Sequence, residues 1–316
     1  MKINISPRLT SNNFNINDFE IDEKVLNIKS KIIDCYSLDN VNAVKTNNIL
    51  NLNIIDNNKY GIINFNLESD LVESINIDID KDSNYLIDYS SKNNCLHNGI
   101  IKVNVKDNVK ANIIVINNLN SESINLIKFE NNVYENSTLN YLIVDLGGNT
   151  SISNYYTKLI GNNSKNNLNS IYIGNKNQVF DINYLIDAIG KNTLSNIDVQ
   201  GSLKDEARKN FKGTIDFKRG CKGSTGSENE YCILLSDKSI SRSLPMLLCT
   251  EEDVVGNHAT ASGKVNDKTL FYIMSRGISK KDAEKLIVKS NLNNLLSIIK
   301  DNEIKEKIEK LIDKKL

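Results

Sequence analysis

From about residue 48 to 276 the chain is written in short runs of alternating apolar and polar residues. They include "GIIKVNVKDNV" (99–109), "NIIVIN" (112–117), "SINLIKFE" (123–130), "TLNYLIVDL" (138–146), "SIYIGN" (170–175), "FDINYLID" (180–187), "GTIDFK" (213–218) and "EYCILLS" (230–236). Each run is closed by Asn, Gly, Asp or Ser, and the period of two predicts many short strands joined by tight turns. Two architectures accommodate such a chain: a sandwich or up-and-down barrel, and a parallel β-helix whose coils stack on one another. A β-helix favours Asn and Gly at its corners, where left-handed backbone angles are needed. No strict repeat is visible, so the pattern alone leaves the two open. Asparagine is unusually abundant, in tracts such as "GNNSKNNLNS", and an excess of Asn, Ile and Lys together reads most simply as the mark of an AT-rich genome. With only two prolines, Pro7 and Pro245, most of the turn chemistry falls to Asn, Gly and Asp.

The flanks read differently. Residues 18–34, "DFEIDEKVLNIKSKIID", set Val25, Leu26, Ile28 and Ile32 near helical spacing. At the other end Ser279 opens "SKKDAEKLI" with Asp282 three residues on, an acidic variant of the capping box. Ala283, Leu286 and Ile287 share a face of that helix. A second helix over about 291–314 carries Leu295, Ile299, Ile304, Ile308, Leu311 and Ile312 as an apolar stripe, which either packs on the β region or docks a partner. The run "TLFYIMSRG" (269–277) reads as strand-like. Three regions follow: a partly helical N-terminal segment (1–47), a β core (48–277) and a helical C-terminal region (278–316).

Function classes narrow with charge and cysteine content. The 316 residues carry 39 basic and 39 acidic side chains, which lends no support to nucleic-acid binding. The N-terminus lacks the apolar run of a signal peptide, and no stretch approaches the length of a membrane span. Five cysteines, an odd number, fit reduced thiols, so a cytoplasmic protein free of the membrane is expected.

Catalytic motifs are sparse. There is no G-x-S-x-G elbow, and "GCKGSTG" (220–226) has the P-loop residues in the wrong order. The cysteines, Cys35, Cys95, Cys221, Cys232 and Cys249, show no C-x-x-C spacing, which argues against a preformed zinc or ferredoxin-type site. Cys221, in "KRGCKGS", is flanked by cations expected to favour its thiolate. Cys232 and Cys249 follow or lie in apolar runs and read as small hydrophobes. Of the two histidines, His97 in "NCLHNG" reads as a turn residue. His258 stands apart: in "EEDVVGNHATASGKV" small residues on both sides leave its ring room for another backbone or a bound ion, although by residue type alone a hydrogen-bonded turn histidine is the favoured reading.

The segment from about 206 to 290 resembles the SufB/SufD family, the scaffold subunits of the SUF iron–sulfur cluster assembly machinery. The resemblance is carried by "NFKGTIDF", "SENEYCILLSDKS" and "SLPMLLCTEEDVVGNHATASGKVNDKTLFYIMSRGISKKDAEKLI", in the family's order. It implies a mainly β chain: a right-handed parallel β-helix with a short N-terminal segment and C-terminal α-helices. It further implies a non-catalytic scaffold that works with a SufC-type ABC ATPase. The ATPase would contact the region of Ser279, Asp282, Leu286 and Ile287. The β-helix would pair with a SufB-type subunit or with a second copy of the chain.

His258 falls on the family's signature histidine and is thereby a candidate ligand for iron or for the cluster; Cys221 and Cys249 are weaker candidates. A transient iron–sulfur cluster shared with a partner is implied, with no tightly bound cofactor in the isolated chain. Three positions depart from the family. Gly256 stands where a Cys often precedes the histidine by two residues, Ser239 where SufB-type chains carry a cluster-associated Cys, and Ala259 where they have an acid. These make the chain SufD-like and leave it short of thiolate ligands. The alternative, a β-helix that binds or degrades polysaccharide, needs acids and aromatics along a groove; aromatics are 6% of this chain, with no Trp.

Overall fold

A computed structural model describes residues 2–5, 17, 20–22, 35–47 and 49–316. Almost all of the helix expected over 18–34 falls outside these residues; within it, Glu20 forms a bridge with Lys2.

Eighteen strands alternate between two nine-stranded sheets. β1 and the even-numbered strands from β4 onward form one sheet, β2 and the odd-numbered strands from β3 onward the other. The chain begins with β1 (Tyr36–Asp39), β2 (Val41–Thr46) and β3 (Ile49–Ile54). Then come β4 (Tyr60–Leu67), β5 (Leu71–Ile79), β6 (Ser83–Ser91), β7 (Leu96–Val105) and β8 (Lys110–Asn118). The middle coils hold β9 (Ile124–Val133), β10 (Thr138–Asp145), β11 (Thr150–Leu159), β12 (Lys165–Gly174) and β13 (Val179–Ala188). The last coils hold β14 (Leu194–Leu203), β15 (Arg208–Phe217), β16 (Ser224–Leu234), β17 (Ile240–Cys249) and β18 (Val254–Lys264). Every pairing is parallel except β1 with β4 and β2 with β3, which turn back on the first coil and close that end. This is the expected β-helix, and all eight runs quoted above contribute to strands.

One coil is one pair of strands. Along one sheet the register runs Tyr85, Ile113, Tyr141, Leu168, Ile197, Glu228, His258, so successive coils are offset by 28, 28, 27, 29, 31 and 30 residues. The offset drifts because corners differ in length, which hides the repeat from sequence inspection while the strands stay in register. One corner shows why asparagine serves. Asn108, Asn136, Asn163 and Asn192 all take left-handed backbone angles (φ 60°, 54°, 57° and 54°), and Gly223 follows at φ 75°. Their backbone N–H groups donate to the next coil, and Asn163 donates through its amide to Asn136 at 2.9 Å. A second ladder, Asn196–Asn167–Asn140–Asn112–Asn84, climbs the outer face of the even sheet at 2.8–2.9 Å per step.

Inward positions fill the lumen with Ile, Val, Leu and aromatic rings; Tyr141, Tyr155, Tyr184 and Phe211 follow one another edge to face at centroid distances of 5.3, 5.9 and 6.1 Å. The outer face of the even sheet is apolar as well: Ile114, Ile116, Leu142, Val144, Ile171 and Ile173 lie under helices α2 (Lys280–Leu296) and α3 (Asn302–Lys315). Leu295, Ile299, Ile304, Ile308 and Ile312 are buried in that contact, so the C-terminal stripe packs on the β-helix. Ser279 caps α2 as expected, accepting from the Asp282 N–H at 3.2 Å. The second helix differs from expectation: the chain breaks at 297–301, and Asp301 starts α3 by accepting from the N–H groups of Glu303 and Ile304. No described helix is long and apolar enough to cross a membrane.

Residues 269–277 are a correction. They form most of α1 (Asp267–Ser275), capped by Asn266, rather than a strand. A short apolar run does not distinguish the two periods; the Asn266 carboxamide, which accepts from the N–H groups of Lys268 and Thr269, tips it to helix. Strands therefore occupy 36–264 and helices begin at 267, against the 48–277 expected for the β core.

Candidate functional site

The two ends of the β-helix are unlike. At the C-terminal end, among the described residues, β17 pairs only with β15 and β18 only with β16, and no further strand stacks on the last coil. Nearly every residue of β18 is exposed, in contrast to the buried alternation of β16 before it. A bare strand edge of this kind presents unpaired N–H and C=O groups to a partner.

Alternation along β16 turns Gly226, Glu228, Glu230 and Cys232 into the lumen, while Thr225, Asn229 and Tyr231 face out. The parallel register carries that inward set onto Gly256, His258, Thr260 and Ser262 of β18. His258 therefore leans over the mouth of the lumen, exposed, with Glu228 as its partner one coil deeper. Ser262 reaches Ser241 of β17 at 2.8 Å and ties the rim together.

Beneath the rim lies a polar cluster sealed inside an apolar tube. Lys209 and Glu230 are both fully buried and pair at 2.7 Å. Ser243 meets Glu230 at 2.8 Å and Lys209 at 2.9 Å, and the Tyr172 hydroxyl donates to Glu230 at 3.1 Å. Cys232 is buried beside them, and that burial pushes its thiol up. Glu228 is also fully buried; loss of water pushes its carboxyl up to about 8, with the Met246 backbone pulling the other way and Glu230 adding to the rise.

The cysteine candidates are placed apart from the histidine. Cys221 is fully buried at the corner after β15, and burial raises its pKa, so the thiolate expected from its cationic neighbours is not favoured. Of those cations Lys218 pairs with Asp216 at 2.6 Å, and Lys222 stands 3.8 Å from Asp253. Cys249 is exposed at the end of β17, with its thiol donating to the Glu251 carbonyl at 2.8 Å. It lies at the corner that leads into Val254, which is about 13 Å along the strand from His258. Ser239 is largely buried and donates to the Ser236 carbonyl at 2.7 Å. The structure thus brings neither Cys221 nor Cys249 against His258.

His97 is a further correction. It lies on β7 and not in a turn, fully buried, with Nδ1 at 2.8 Å from Asn125, Nε2 at 3.4 Å from Glu73 and its ring 4.3 Å from Tyr89.

The helical end of the molecule carries an exposed apolar patch. Helix α1 buries none of its residues: Phe271 is 73% exposed, Tyr272 59% and Met274 40%, and Leu286 of α2 is 50% exposed. Of the expected contact residues Ser279, Asp282 and Leu286 are free at the surface, whereas Ile287 is partly buried against the α2–α3 cluster.

The sequence does not single out Glu228, Glu230 and Lys209, because charged residues on a strand carry no motif and ordinarily face solvent. The available signal was parity: Glu228, Glu230 and Cys232 share one face of a period-two strand.

Comparison with known proteins converges on this part of the chain. A family model described as SUF system FeS cluster assembly, SufBD core domain, matches residues 66–291. The chain is similar to the iron–sulfur cluster assembly protein SufD of Bacillus subtilis, 30% identical over 116 residues, which cover 37% of this chain and 26% of that protein. It is also similar to a SufBD family protein of Mycobacterium tuberculosis, 23% identical over 223 residues (68% of this chain, 26% of that protein). A SufBD family protein of Staphylococcus saprophyticus is 27% identical over 193 residues (61% and 42%). The match thus spans 26% to 42% of the length of these relatives.

Proposed function

The chain belongs to the SufBD core family of the SUF iron–sulfur cluster assembly system, and on that premise we propose that it is a non-catalytic scaffold subunit for assembling and delivering nascent clusters. The observation that carries the reading is the bare terminal coil, where His258 stands exposed on a strand with a free edge. A SufB-type chain or a second copy of this one covers that edge, and His258 then lies at the seam.

There its imidazole offers a nitrogen to iron, a ligand type suited to that metal. The cluster is cargo, and its thiolate ligands come from the partner: Cys221 is sealed and Cys249 is turned to the Glu251 carbonyl.

A SufC-type ABC ATPase docks on the patch formed by Phe271, Tyr272, Met274 and Leu286, beside Ser279 and Asp282, in the cytoplasm. An exposed apolar surface of this kind is the mark of a docking site, and its movement under ATP opens and closes the seam.

Co-expression with a SufC-type ATPase tests the reading. The wild-type chain is expected to co-purify with it, and the double variant Phe271→Asp, Leu286→Asp to lose it without a change in melting temperature. Point changes are preferable to deleting 279–316, which would uncover the apolar face under α2 and α3. Capture retained by the double variant would remove the patch from the interface; no capture by the wild type would count against the scaffold role.

A further inference from the structure

Glu228 and His258 are register partners in the parallel pair of β16 and β18. Their Cα atoms therefore lie about 4.8 Å apart, and both side chains project to the lumen side. Glu228 is fully buried, and neither carboxyl oxygen has a hydrogen-bond partner of ordinary geometry. Leaving such a group unsatisfied costs on the order of 1–3 kcal/mol or more.

The fold does satisfy the neighbouring acid: Glu230, two residues on, is held by Lys209, Ser243 and Tyr172. The surroundings of Glu228 are built around its carboxyl all the same. Gly213, across the lumen, has no room for a Cβ because the carboxyl fills the space. Pro245 stacks on Gly213 in the last coil and brings no N–H donor. The polar group that influences the carboxyl most directly is the Met246 backbone, on β17, in the same terminal coil as His258.

We propose that Glu228 is a second donor, an oxygen, to a divalent first-row cation that His258 holds at the floor of the terminal coil. The proposal rests on the reading of His258 as a ligand. A buried acid that no side chain satisfies, beside an exposed imidazole, is half of a mixed nitrogen–oxygen site, a donor set that suits Fe2+ and its analogue Co2+. The cation completes the bonding of a carboxylate that has only the Met246 backbone beside it, and the remaining positions stay open toward the seam.

Binding of Co2+ to the full chain, followed by calorimetry and by the visible absorption of the bound ion, tests this with no assay of cluster assembly. The wild type is expected to bind one Co2+, His258→Ala to lose it, and Glu228→Gln to bind on the order of tenfold more weakly or worse. Glu228→Asp keeps a carboxylate on a shorter arm and is expected to retain part of the affinity that Gln loses, with the same visible bands; this separates ligation from a packing defect. If His258→Ala loses the ion while Glu228→Gln binds as the wild type does, the Glu228 proposal is overturned and His258 stands. If Asp and Gln are equally impaired, the loss is one of packing and Glu228 is not a donor. If the wild type binds no Co2+, or His258→Ala binds it unchanged, the histidine fails as a ligand and the proposal falls with it.

Discussion

Lys209 Nζ and Glu230 Oε1 stand 2.7 Å apart with both side chains fully shielded from water, in a tube lined mainly by Ile, Leu, Val and aromatic rings. Their attraction offsets two desolvation penalties only because Ser243 and Tyr172 complete the hydrogen bonding.

Removing one partner leaves the other charge buried and bare. Lys209→Met is expected to destabilise the last coils by about 3–5 kcal/mol. Lys209→Met combined with Glu230→Leu is expected to cost clearly less. Chemical denaturation of the three proteins checks this; a double variant as unstable as the single one would mean that the cost is steric.

Asp145 predicts a pH dependence in the interior. Burial raises its pKa from 3.8 to about 6, against the opposing hydrogen bonds of Ser151 at 2.6 Å and Asn117 at 2.7 Å and the charge of Lys315. Between those two values the unfolded chain releases the proton while the folded chain holds it. Stability therefore falls as pH rises from about 4 to about 6, by up to about 3 kcal/mol, and this contribution is flat above that window. Asp145→Asn is expected to remove that slope from a series of melting curves; an unchanged slope would place the titration elsewhere.

The corner ladder makes a conformational prediction. Asn163 sits at φ 57°, a region that costs a β-branched residue about 1–2 kcal/mol. Asn163→Val is expected to lower stability by at least that much, and Asn163→Gly to stay closer to the wild type, losing mainly the amide bond to Asn136. Thermal melts that rank Val at or above Gly would contradict the corner geometry.

His258 is exposed and holds no packing role, so His258→Ala is expected to leave stability within about 0.5 kcal/mol of the wild type. In cells the same variant is expected to lower the activity of cluster-dependent enzymes. Intact enzyme activity would take His258 out of the seam; a large drop in melting temperature would mark it as structural.

Strand identity was legible because alternation and Asn-rich turns are local, and all eight alternating runs between 99 and 236 contribute to strands. The Ser279 cap was legible for the same reason. Helix α1 was not, since the five apolar residues in "TLFYIM" satisfy either period and only the Asn266 cap decides. Nor was the placement of His97, which looked like a turn beside Asn98 and Gly99 but faces the lumen between Glu73 and Asn125.

The chain order by itself determined where strands turn, which asparagines take left-handed corners and where α2 begins, because each depends on a few neighbouring residues. Which polar groups are enclosed, which acid stands beside His258 and which apolar helix face is left bare were decided only in three dimensions. Parallel stacking sets residues 27 to 31 positions apart side by side, and the enclosure of a side chain depends on whether another coil or helix lies above it.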